Sequence, residues 1–435
     1  MTKIQYLSVL ASIPLLSFAQ PHLQVTIGEV NHREAYFSCI AYDASYRLEF
    51  YLSNDNKGVI HDKQGARTSY EQNLPIRFTG LTPNQSYDLR VKYANNYAPT
   101  DTGVVALASI HTPLDWQHRV PAPDFSFVAG SCNYINEEDT DRPGSPYGGD
   151  YEIFTSMAAE DADFTLWLGD NVYQRPSDYS SPSGLSRRFI QDRTNVYLQK
   201  LLSTRPNYAI LDDHDCGPND MNSSYFLIDS GLTAFKTFWP RSQYGVRNVN
   251  DLRWIQVHSD VVFIGLDNRT HRTSTNSPTP QILGTEQIEW LISQIEFYNR
   301  ASFFIISIGG QVLNSEAVFE TYATYPEEQE YLLDRLASLE TNNIIFLTGD
   351  RHHSEASSIQ TKEGFRIVDL TISPLTSGVA SATKGENNSN RIGELIHQRN
   401  YALITVKGES GDRVLIAEYK NKDGEEIITY TFRSL

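Results

Sequence analysis

Six short apolar runs recur in the second part of the chain, and they limit the folds that it can adopt. The runs cover residues 125–129, 164–168, 208–211, 261–266, 303–308 and 344–348. They are rich in β-branched and aromatic side chains and lack the alternation of apolar and polar residues seen in half-exposed strands. This pattern predicts strands that are covered on both faces, as in a largely parallel sheet.

Helical patterns lie between these runs. Thr285 is placed to cap one helix, and Pro326 with two glutamates after it is placed to begin another. The predicted apolar faces of these helices consist of Ile288, Leu291, Ile292 and Ile295, and of Leu332, Leu333, Leu336 and Leu339. Strands that alternate with helices predict a layered α/β domain. Alternating residues near the end of the chain, within 402–432, predict antiparallel strands that close the second sheet of a four-layer αββα core.

The first part of the chain has a different pattern. Short alternating stretches separated by turn residues run from about residue 22 to 112, which predicts an antiparallel β-sandwich. A turn at residues 80–86 followed by Tyr87 and an alternating strand is typical of the tyrosine corner of immunoglobulin-like and fibronectin-like domains. Cys39 lies in one of these strands, where we expect it to be a buried apolar residue.

These patterns predict four segments. Residues 1–19 contain Lys3, an apolar stretch and the small residues Ser17 and Ala19, which is typical of a secretory signal peptide cut before Gln20. The other reading is a buried N-terminal strand or helix. Residues 20–112 form the predicted immunoglobulin-like sandwich, the Pro-rich residues 113–124 a linker, and residues 125–435 the α/β domain. We therefore expect a secreted or periplasmic protein.

The charge and cysteine content exclude several classes of protein. Lys and Arg total 36 against 53 Asp and Glu residues, a formal net charge of −17. We expect no nucleic acid partner, because nonspecific binding to phosphates requires a basic surface. Beyond residues 1–19 we find no stretch of the ~18 uncharged apolar residues that a membrane span requires. Three Cys residues cannot form a disulfide framework.

Residues with metal-binding or catalytic chemistry follow each apolar run. They stand at positions 130–133, 169–173, 212–215, 267–269, 309–311 and 349–353. Ligands of open α/β sheets bind at the carboxyl ends of the strands, so we expect these residues to meet. Carboxylates this close to one another repel unless a cation lies between them. A single Asp here is more simply a helix cap, but caps account for neither His214 and His352 nor Tyr173.

The types of ligand indicate the kind of metal. Carboxylates suit hard ions, imidazole suits zinc and iron, and thiolate suits softer ions. A tyrosine ionises near neutral pH only beside a strong Lewis acid, because its ordinary pKa is about 10. Asp170 and Tyr173 are three residues apart and can reach one ion if the chain turns after the strand. The mixture favours ferric iron, with a neighbouring oxygen-rich position for a second hard ion.

Seven stretches of the chain resemble, in order, the PhoD-type alkaline phosphatases, which are distant relatives of the calcineurin-like metallophosphoesterases. The stretches are 130–132, 150–154, 168–173, 212–215, 266–269, 309–311 and 349–352. Together with an N-terminal immunoglobulin-like domain, they extend over nearly all of the mature chain. The resemblance implies hydrolysis of phosphate esters at one ferric ion (Fe3+) with calcium ions (Ca2+); Zn2+ or Mn2+ are the alternatives.

The resemblance also implies roles for particular residues. The implied metal ligands are Cys132, Asp150, Asp170, Tyr173, Asp213, Asp350 and His352. His214 is the implied catalytic group, which donates a proton to the leaving oxygen or holds a phosphoryl oxygen. Arg269 at a strand end is the candidate for a fork-like grip on phosphate, or else it forms an ion pair with a carboxylate such as Asp267.

Two features depart from the family pattern. Residues 1–19 contain no Arg, whereas members of the family commonly carry a twin-arginine export signal. Cys216 follows the His214 motif, where no thiol is expected. Cys216 either packs in the core, which we favour, or touches the metals, or forms a disulfide with Cys132 that would remove the thiolate ligand.

The expected function is hydrolysis of small phosphate monoesters by attack of a metal-bound hydroxide or oxide. A phosphodiesterase or phospholipase D-like hydrolase at the same site is the first alternative, because the sequence shows neither pocket shape nor the number of charges to be neutralised. A secreted binding module with structural metals is the alternative from another class. The sequence does not indicate an oligomeric state.

Overall fold

The computed structural model describes residues 20–434 apart from 44, 55–58, 68–71, 99, 247–248, 340, 342, 363 and 381–385. The predicted signal peptide, residues 1–19, lies outside the described residues. No helix among the described residues is long and apolar enough to cross a membrane.

The described residues of the N-terminal part form seven antiparallel strands. They are β1 (Leu23–Val30), β2 (Glu34–Ala41), β3 (Tyr46–Asn54), β4 (Val59–Arg67), β5 (Gln72–Thr79), β6 (Ser86–Asn95) and β7 (Thr102–His111). Strands β1, β2 and β5 form one sheet, and β4, β3, β6 and β7 form the other. Apolar side chains from both sheets make one core that includes Cys39. The hydroxyl of buried Tyr87 accepts a hydrogen bond from the backbone N–H of Thr82 at 3.0 Å, the contact expected of a tyrosine corner.

Two larger sheets form the second part. The first contains β8 (Phe125–Gly130), β9 (Phe164–Leu168), β10 (Asn207–Ile210), β18 (Asn400–Lys407), β19 (Val414–Asn421) and β20 (Glu426–Arg433), in the order β10-β9-β8-β18-β19-β20. The second contains β11 (Trp254–His258), β12 (Val261–Gly265), β13 (Phe303–Ile308), β14 (Ile344–Thr348), β15 (Ser354–Gln360), β16 (Arg366–Thr371) and β17 (Arg391–Ile396), in the order β11-β12-β13-β14-β16-β15-β17. The six predicted apolar runs correspond to β8, β9, β10, β12, β13 and β14.

Helices cover the outer faces of both sheets. They are α1 (Ile153–Ala159), α2 (Pro182–Asp192), α3 (Val196–Thr204), α4 (Asp213–Cys216), α5 (Ile228–Phe238), α6 (Thr285–Phe297) and α7 (Pro326–Ala337), and a 3-10 turn covers Tyr322–Thr324. Helix α7 begins at Pro326, as the sequence predicted. Helix α6 begins at Thr285, but its capping residue is Gly284 at φ +75°, a backbone conformation that glycine adopts without steric cost.

Three apolar clusters show how these layers pack. One lies between the two sheets and combines residues of β8–β10 with residues of β12–β16. A second packs α1, α2, α3 and α5 against the first sheet. A third packs α6 and α7 against the second sheet. The predicted αββα sandwich with an N-terminal β domain is therefore confirmed. The strands predicted within 402–432 are β18–β20, and they extend the first sheet beside β8 instead of closing the second.

Candidate metal centre

The loops after the parallel strands lie side by side at one edge of the sandwich. Strands β8, β9 and β10 run parallel in the first sheet, as do β12, β13 and β14 in the second. The backbone N–H of Cys132 donates to Gly169 at 3.2 Å, and the N–H of Gly349 donates to Gly309 at 2.7 Å. A Cβ atom at Gly309 would lie 2.4 Å from Oδ2 of Asp212, so only glycine permits this close approach. The strand ends meet as predicted.

The backbone at the predicted ligands is unusual. Five of the seven have a positive φ between +52° and +68°, namely Cys132, Asp150, Asp170, Asp350 and His352. Non-glycine residues rarely adopt this conformation, which costs about 1–3 kcal/mol each. Such strain persists where the surrounding structure imposes it, and it clusters at functional sites. Four of these residues stand at the strand ends selected for their chemistry, and Asp150 comes from the family resemblance.

Cys132, Asp170 and His352 form the first group of ligand-type side chains. Their ligand atoms all lie within 4.8 Å of one another, and Sγ of Cys132 is 3.7 Å from Oδ2 of Asp170. The hydroxyl of Tyr173 donates to the same carboxylate oxygen at 2.9 Å and lies 3.0 Å from Nε2 of His352. Thiol, carboxylate, phenol and imidazole therefore surround one point.

The electrostatics of this group favour a bound cation. Burial, followed by the charges of nearby carboxylates, raises the pKa of Cys132, Asp170 and Tyr173 well above their ordinary values. Burial and the carboxylates of Asp212, Glu320 and Asp213 do the same to the pKa of Asp350. A cation between these groups would reverse the effect, because it stabilises their charged forms. The donor set fits a metal ion.

A second group shares Asp170 with the first. Asp170, Asp213 and His214 have ligand atoms within 4.8 Å of one another. Oδ1 of Asp170, Oδ1 of Asp213 and Nδ1 of His214 are buried and have no hydrogen-bond partner among the residues that the structure describes. Unpaired buried polar atoms are costly, and a metal ion would satisfy them. Burial alone would raise the pKa of Asp213, but Arg269 and His214 hold it below its ordinary value.

The contacts of Arg269 do not fit its predicted role in binding phosphate. Its side chain is buried, and Nε donates to Oδ1 of Asp212 at 2.5 Å. Its terminal nitrogens pair with both oxygens of Glu320 and donate to the backbone oxygen of Met221 at 3.2 Å. The geometry thus favours the ion-pair alternative, with Asp212 and Glu320 as partners of the guanidinium. Asp267 instead accepts the backbone N–H of Arg269 at 3.0 Å.

Asp150 also lies apart from the two groups. It forms an ion pair with Arg399 at 2.6 Å, and about 40% of its side chain is exposed. Like Asp350, it belongs to none of the groups of ligand-type side chains found among the described residues. Its role as a metal ligand remains a prediction from the family resemblance.

Cys216 packs in the core. It is a free cysteine in the cluster beneath α5, and Cys132 is also free. The alternative of a Cys132–Cys216 disulfide is therefore wrong, and the thiol of Cys132 is available as a ligand.

A cavity of about 1060 Å³ opens over the two groups. Asp170, Tyr173, His214, Asp350 and His352 line it, and so do Arg272 and Arg351. Arg272 pairs with Glu320 at 2.7 Å, while Arg351 pairs with Glu386 at 2.9 Å. Sequence reasoning selected Arg269 and assigned no role to Arg272. The signal for Arg272 was its place three residues after Arg269 in the same loop.

Tyr147 is a second residue that sequence reasoning missed. Its hydroxyl lies 2.9 Å from Nδ1 of His352, which leaves Nε2 of the ring directed at Tyr173. Burial and the neighbouring His214 lower the pKa of His352 to about 4, so the imidazole is neutral, as a metal ligand must be. In the sequence, Tyr147 was marked only weakly, as a tyrosine in a Gly-rich turn just before Asp150.

The fold and the site define a class of protein. A four-layer αββα sandwich with carboxylates, imidazoles, a thiol and a phenol gathered at its strand ends has the architecture of a metallophosphoesterase. The family model for PhoD-like phosphatases matches residues 235–416 of the chain. The predicted resemblance to the PhoD-type phosphatases is confirmed.

Individual relatives agree with this assignment. Alkaline phosphatase D of Bacillus subtilis (strain 168) is 21% identical over 343 residues, which are 68% of this chain and 55% of the relative. The match therefore spans about half the length of that relative. The solved structure of PhoD superposes with a TM-score of 0.74 at 16% identity, over 94% of this chain and 90% of the other. The purple acid phosphatase PPD1 from yellow lupin seeds gives 0.66 at 13% identity, over 94% and 74%. At these identities the structures show a shared fold.

Proposed function

We propose that the protein is a metal-dependent hydrolase of small phosphate monoesters. The observation that carries the proposal is the convergence of the two ligand groups on Asp170, beneath a cavity that also contains two arginines. In the reaction, water adds to phosphorus, the ester P–O bond breaks, and the leaving oxygen takes up a proton. The products are an alcohol and inorganic phosphate.

The metal ions would be held by residues of both groups. Cys132, Asp170, Tyr173 and His352 suit a ferric ion, because they combine a thiol and a phenol with a carboxylate and an imidazole. Asp213 and Asp350, with Asp150 from the family resemblance, suit harder ions such as calcium. When bound, such cations lower the pKa of water and neutralise charge on phosphoryl oxygens.

The chain's own side chains would bind the ester. A chain with a net charge of −17 repels anionic substrates at long range, so binding depends on local cations. We assign the phosphate grip to Arg272, which lines the cavity, rather than to Arg269, whose donors face Asp212, Glu320 and a backbone oxygen. A guanidinium has five N–H donors. The ion pair with Glu320 engages Nη2 of Arg272, and the phosphate would bind to the other donors of the same guanidinium.

His214 would transfer the proton to the leaving oxygen. It lines the cavity, and its ring centroid lies 4.3 Å from that of Tyr173. This packing holds the imidazole at the edge of the metal groups. Its position beside Asp170 and Asp213 also fits a ligand, and the two roles are separable by experiment. We further propose that the protein is exported, on the pattern of residues 1–19 alone.

Elemental analysis of freshly purified protein, combined with a phosphate-release screen, tests the proposed function. We expect bound iron and calcium, and turnover of 4-nitrophenyl phosphate well above that of its bis-ester. Chelation should abolish turnover while circular dichroism stays unchanged, and added metal should restore turnover. Metal without turnover of any phosphate ester would indicate a binding module instead. Faster turnover of the bis-ester would indicate a phosphodiesterase.

A further inference from the structure

Phe319 is an exposed aromatic residue on the wall of the cavity. About 80% of its surface is exposed, and its backbone has a φ of +48°. A bulky side chain in this conformation is a genuine outlier and is energetically costly. An exposed phenyl ring gains almost nothing from burial to offset that cost. Folding stability therefore does not explain the residue at this position.

The residues on either side of Phe319 hold it in place. The hydroxyl of Thr321 accepts the backbone N–H of Val318 at 3.3 Å and lies 2.7 Å from the backbone oxygen of Glu316, to which it donates. The carboxylate of Glu320 pairs with Arg269 and with Arg272. The loop is thus anchored both before and after the ring, so the strained backbone is imposed by its neighbours.

One face of the Phe319 ring is covered, and the rest of the ring is open. The guanidinium of Arg351 lies over the ring, 5.1 Å from its centroid. Arg351 is buried and fixed by Glu386 and by Gln311, whose side-chain oxygen accepts its Nη1 at 2.5 Å. The ring is consequently a rigid flat surface, and its exposed part faces the space that the cavity and solvent share.

The position of the ring relative to the metal groups completes the arrangement. Phe319 adjoins Glu320, whose carboxylate belongs to a ligand-type group with Asp212 and Asp213. Phe319, Glu320 and Asp170 line the same cavity, so the ring borders the space over the metal groups. A phosphate bound by Arg272 next to the metal groups would leave its organic part in the cavity, where Phe319 forms part of the wall.

We propose that Phe319 is a specificity-determining residue that stacks against a planar aromatic ring carried by the leaving alcohol, such as the base of the nucleoside released from a nucleoside monophosphate. The inference rests on the proposed phosphomonoesterase function and adds a substrate class to it. Every base presents a flat face to an aromatic side chain, so the Phe319 ring, as a stacking platform, would accept aromatic groups broadly.

Hydrolysis of adenosine 5′-monophosphate and of ribose 5-phosphate tests the platform, because the two share the same ester and differ in the base. We expect Phe319→Ala to lower kcat/KM for adenosine 5′-monophosphate about tenfold and to leave ribose 5-phosphate within about twofold. Phe319→Trp should retain the wild-type ratio. Phe297→Ala is the matched control, because Phe297 is about 74% exposed at the end of α6 and does not line the cavity.

The outcomes separate this inference from the proposed function. Equal losses on both substrates, or no loss on either, would overturn the platform while hydrolysis itself stands. Absence of hydrolysis by the wild type would overturn the proposed function. Calorimetric binding of the same two compounds then decides the platform: weaker binding of adenosine 5′-monophosphate alone in Phe319→Ala supports it, and unchanged binding refutes it.

Discussion

The hydroxyl of Tyr173 lies 3.0 Å from Nε2 of His352, although 179 positions separate the two residues in the chain. Tyr173 follows a strand of the first sheet, and His352 follows a strand of the second. The contact therefore joins the two halves of the sandwich at the site. Both atoms carry lone pairs and both face Asp170, which is the arrangement that a shared cation requires.

Tyr173→Phe should weaken metal binding at the group that contains Cys132. The substitution removes one ligand oxygen and keeps the ring, so we expect at least about tenfold weaker binding of iron. Elemental analysis and competition with a chelator measure the effect. Tyr134→Phe is the matched control, because its ring packs 5.1 Å from that of Tyr173 while its hydroxyl donates to Asp141. Unchanged iron affinity in Tyr173→Phe would exclude the phenol as a ligand.

His214→Ala should lower turnover far more than metal content. Removal of a proton donor typically costs about 10²–10⁴-fold in rate. Steady-state kinetics and elemental analysis of the same preparation give both quantities. Parallel losses of turnover and metal would show that His214 is a ligand, in keeping with its place beside Asp170 and Asp213.

Arg272→Ala should weaken the use of phosphate esters while the fold stays intact. A hydrogen bond to a charged group contributes about 1.5–3 kcal/mol, which corresponds to a loss of about 10–100-fold in kcat/KM. Inhibition by inorganic phosphate should weaken with it, because the same donors bind the product. Kinetics within twofold of the wild type would remove Arg272 from the binding site.

Arg269→Met should destabilise the protein. The substitution leaves the buried carboxylate of Asp212 without its guanidinium partner, while Glu320 keeps only its pair with Arg272. Breaking a buried ion pair in this way costs about 3–5 kcal/mol. Urea unfolding measures the change. Arg335→Ala is the control, because its pair with Glu289 lies at the surface, where solvent screens the charges and the pair contributes little to stability. Wild-type stability in Arg269→Met would contradict its role as an ion-pair anchor.

Glu137 should contribute to stability in a pH-dependent way. Burial opposes its ionisation, but hydrogen bonds from Arg187, Thr140 and Arg188 lower the pKa of Glu137 to about 2. The unfolded value is about 4.3, so the carboxylate contributes its full stability above that pH and loses it as the pH falls towards 2.

Glu137→Gln should therefore reduce the free energy of unfolding by about 2 kcal/mol more at pH 6 than at pH 2.5. Urea unfolding at the two pH values measures the difference. Asp412→Asn, in an exposed pair with Arg433, should behave alike at both. A Glu137→Gln deficit that is independent of pH would contradict the lowered pKa.

Local patterns were sufficient to predict the strands and the gathering of site residues at their ends. The run at 303–308 coincides with β13, and the run at 344–348 with β14, because a strand buried on both faces needs a continuous apolar sequence. Parallel strands in turn bring their carboxyl ends to one edge. Cys132, Asp170 and His352 could thus be grouped before any coordinates.

Local patterns could not predict which side chains of the site pair with one another. Arg269 and Arg272 stand in one loop with the same chemistry, and no local pattern distinguishes them. Asp212 and Glu320, the latter 51 positions away, hold Arg269 in the interior, and Arg272 lines the cavity. The same applies to Tyr147, whose contact with His352 spans 205 positions.

The amino-acid sequence by itself determined the layered α/β fold, the β-sandwich before it and the set of residues with metal-binding chemistry, because apolar periodicity and residue type are local properties. Only the tertiary structure decided which arginine lines the cavity, which tyrosine orients His352 and that Phe319 is exposed there. Those outcomes depend on close contacts between distant segments, and ion pairing and packing select among side chains that are equivalent in sequence.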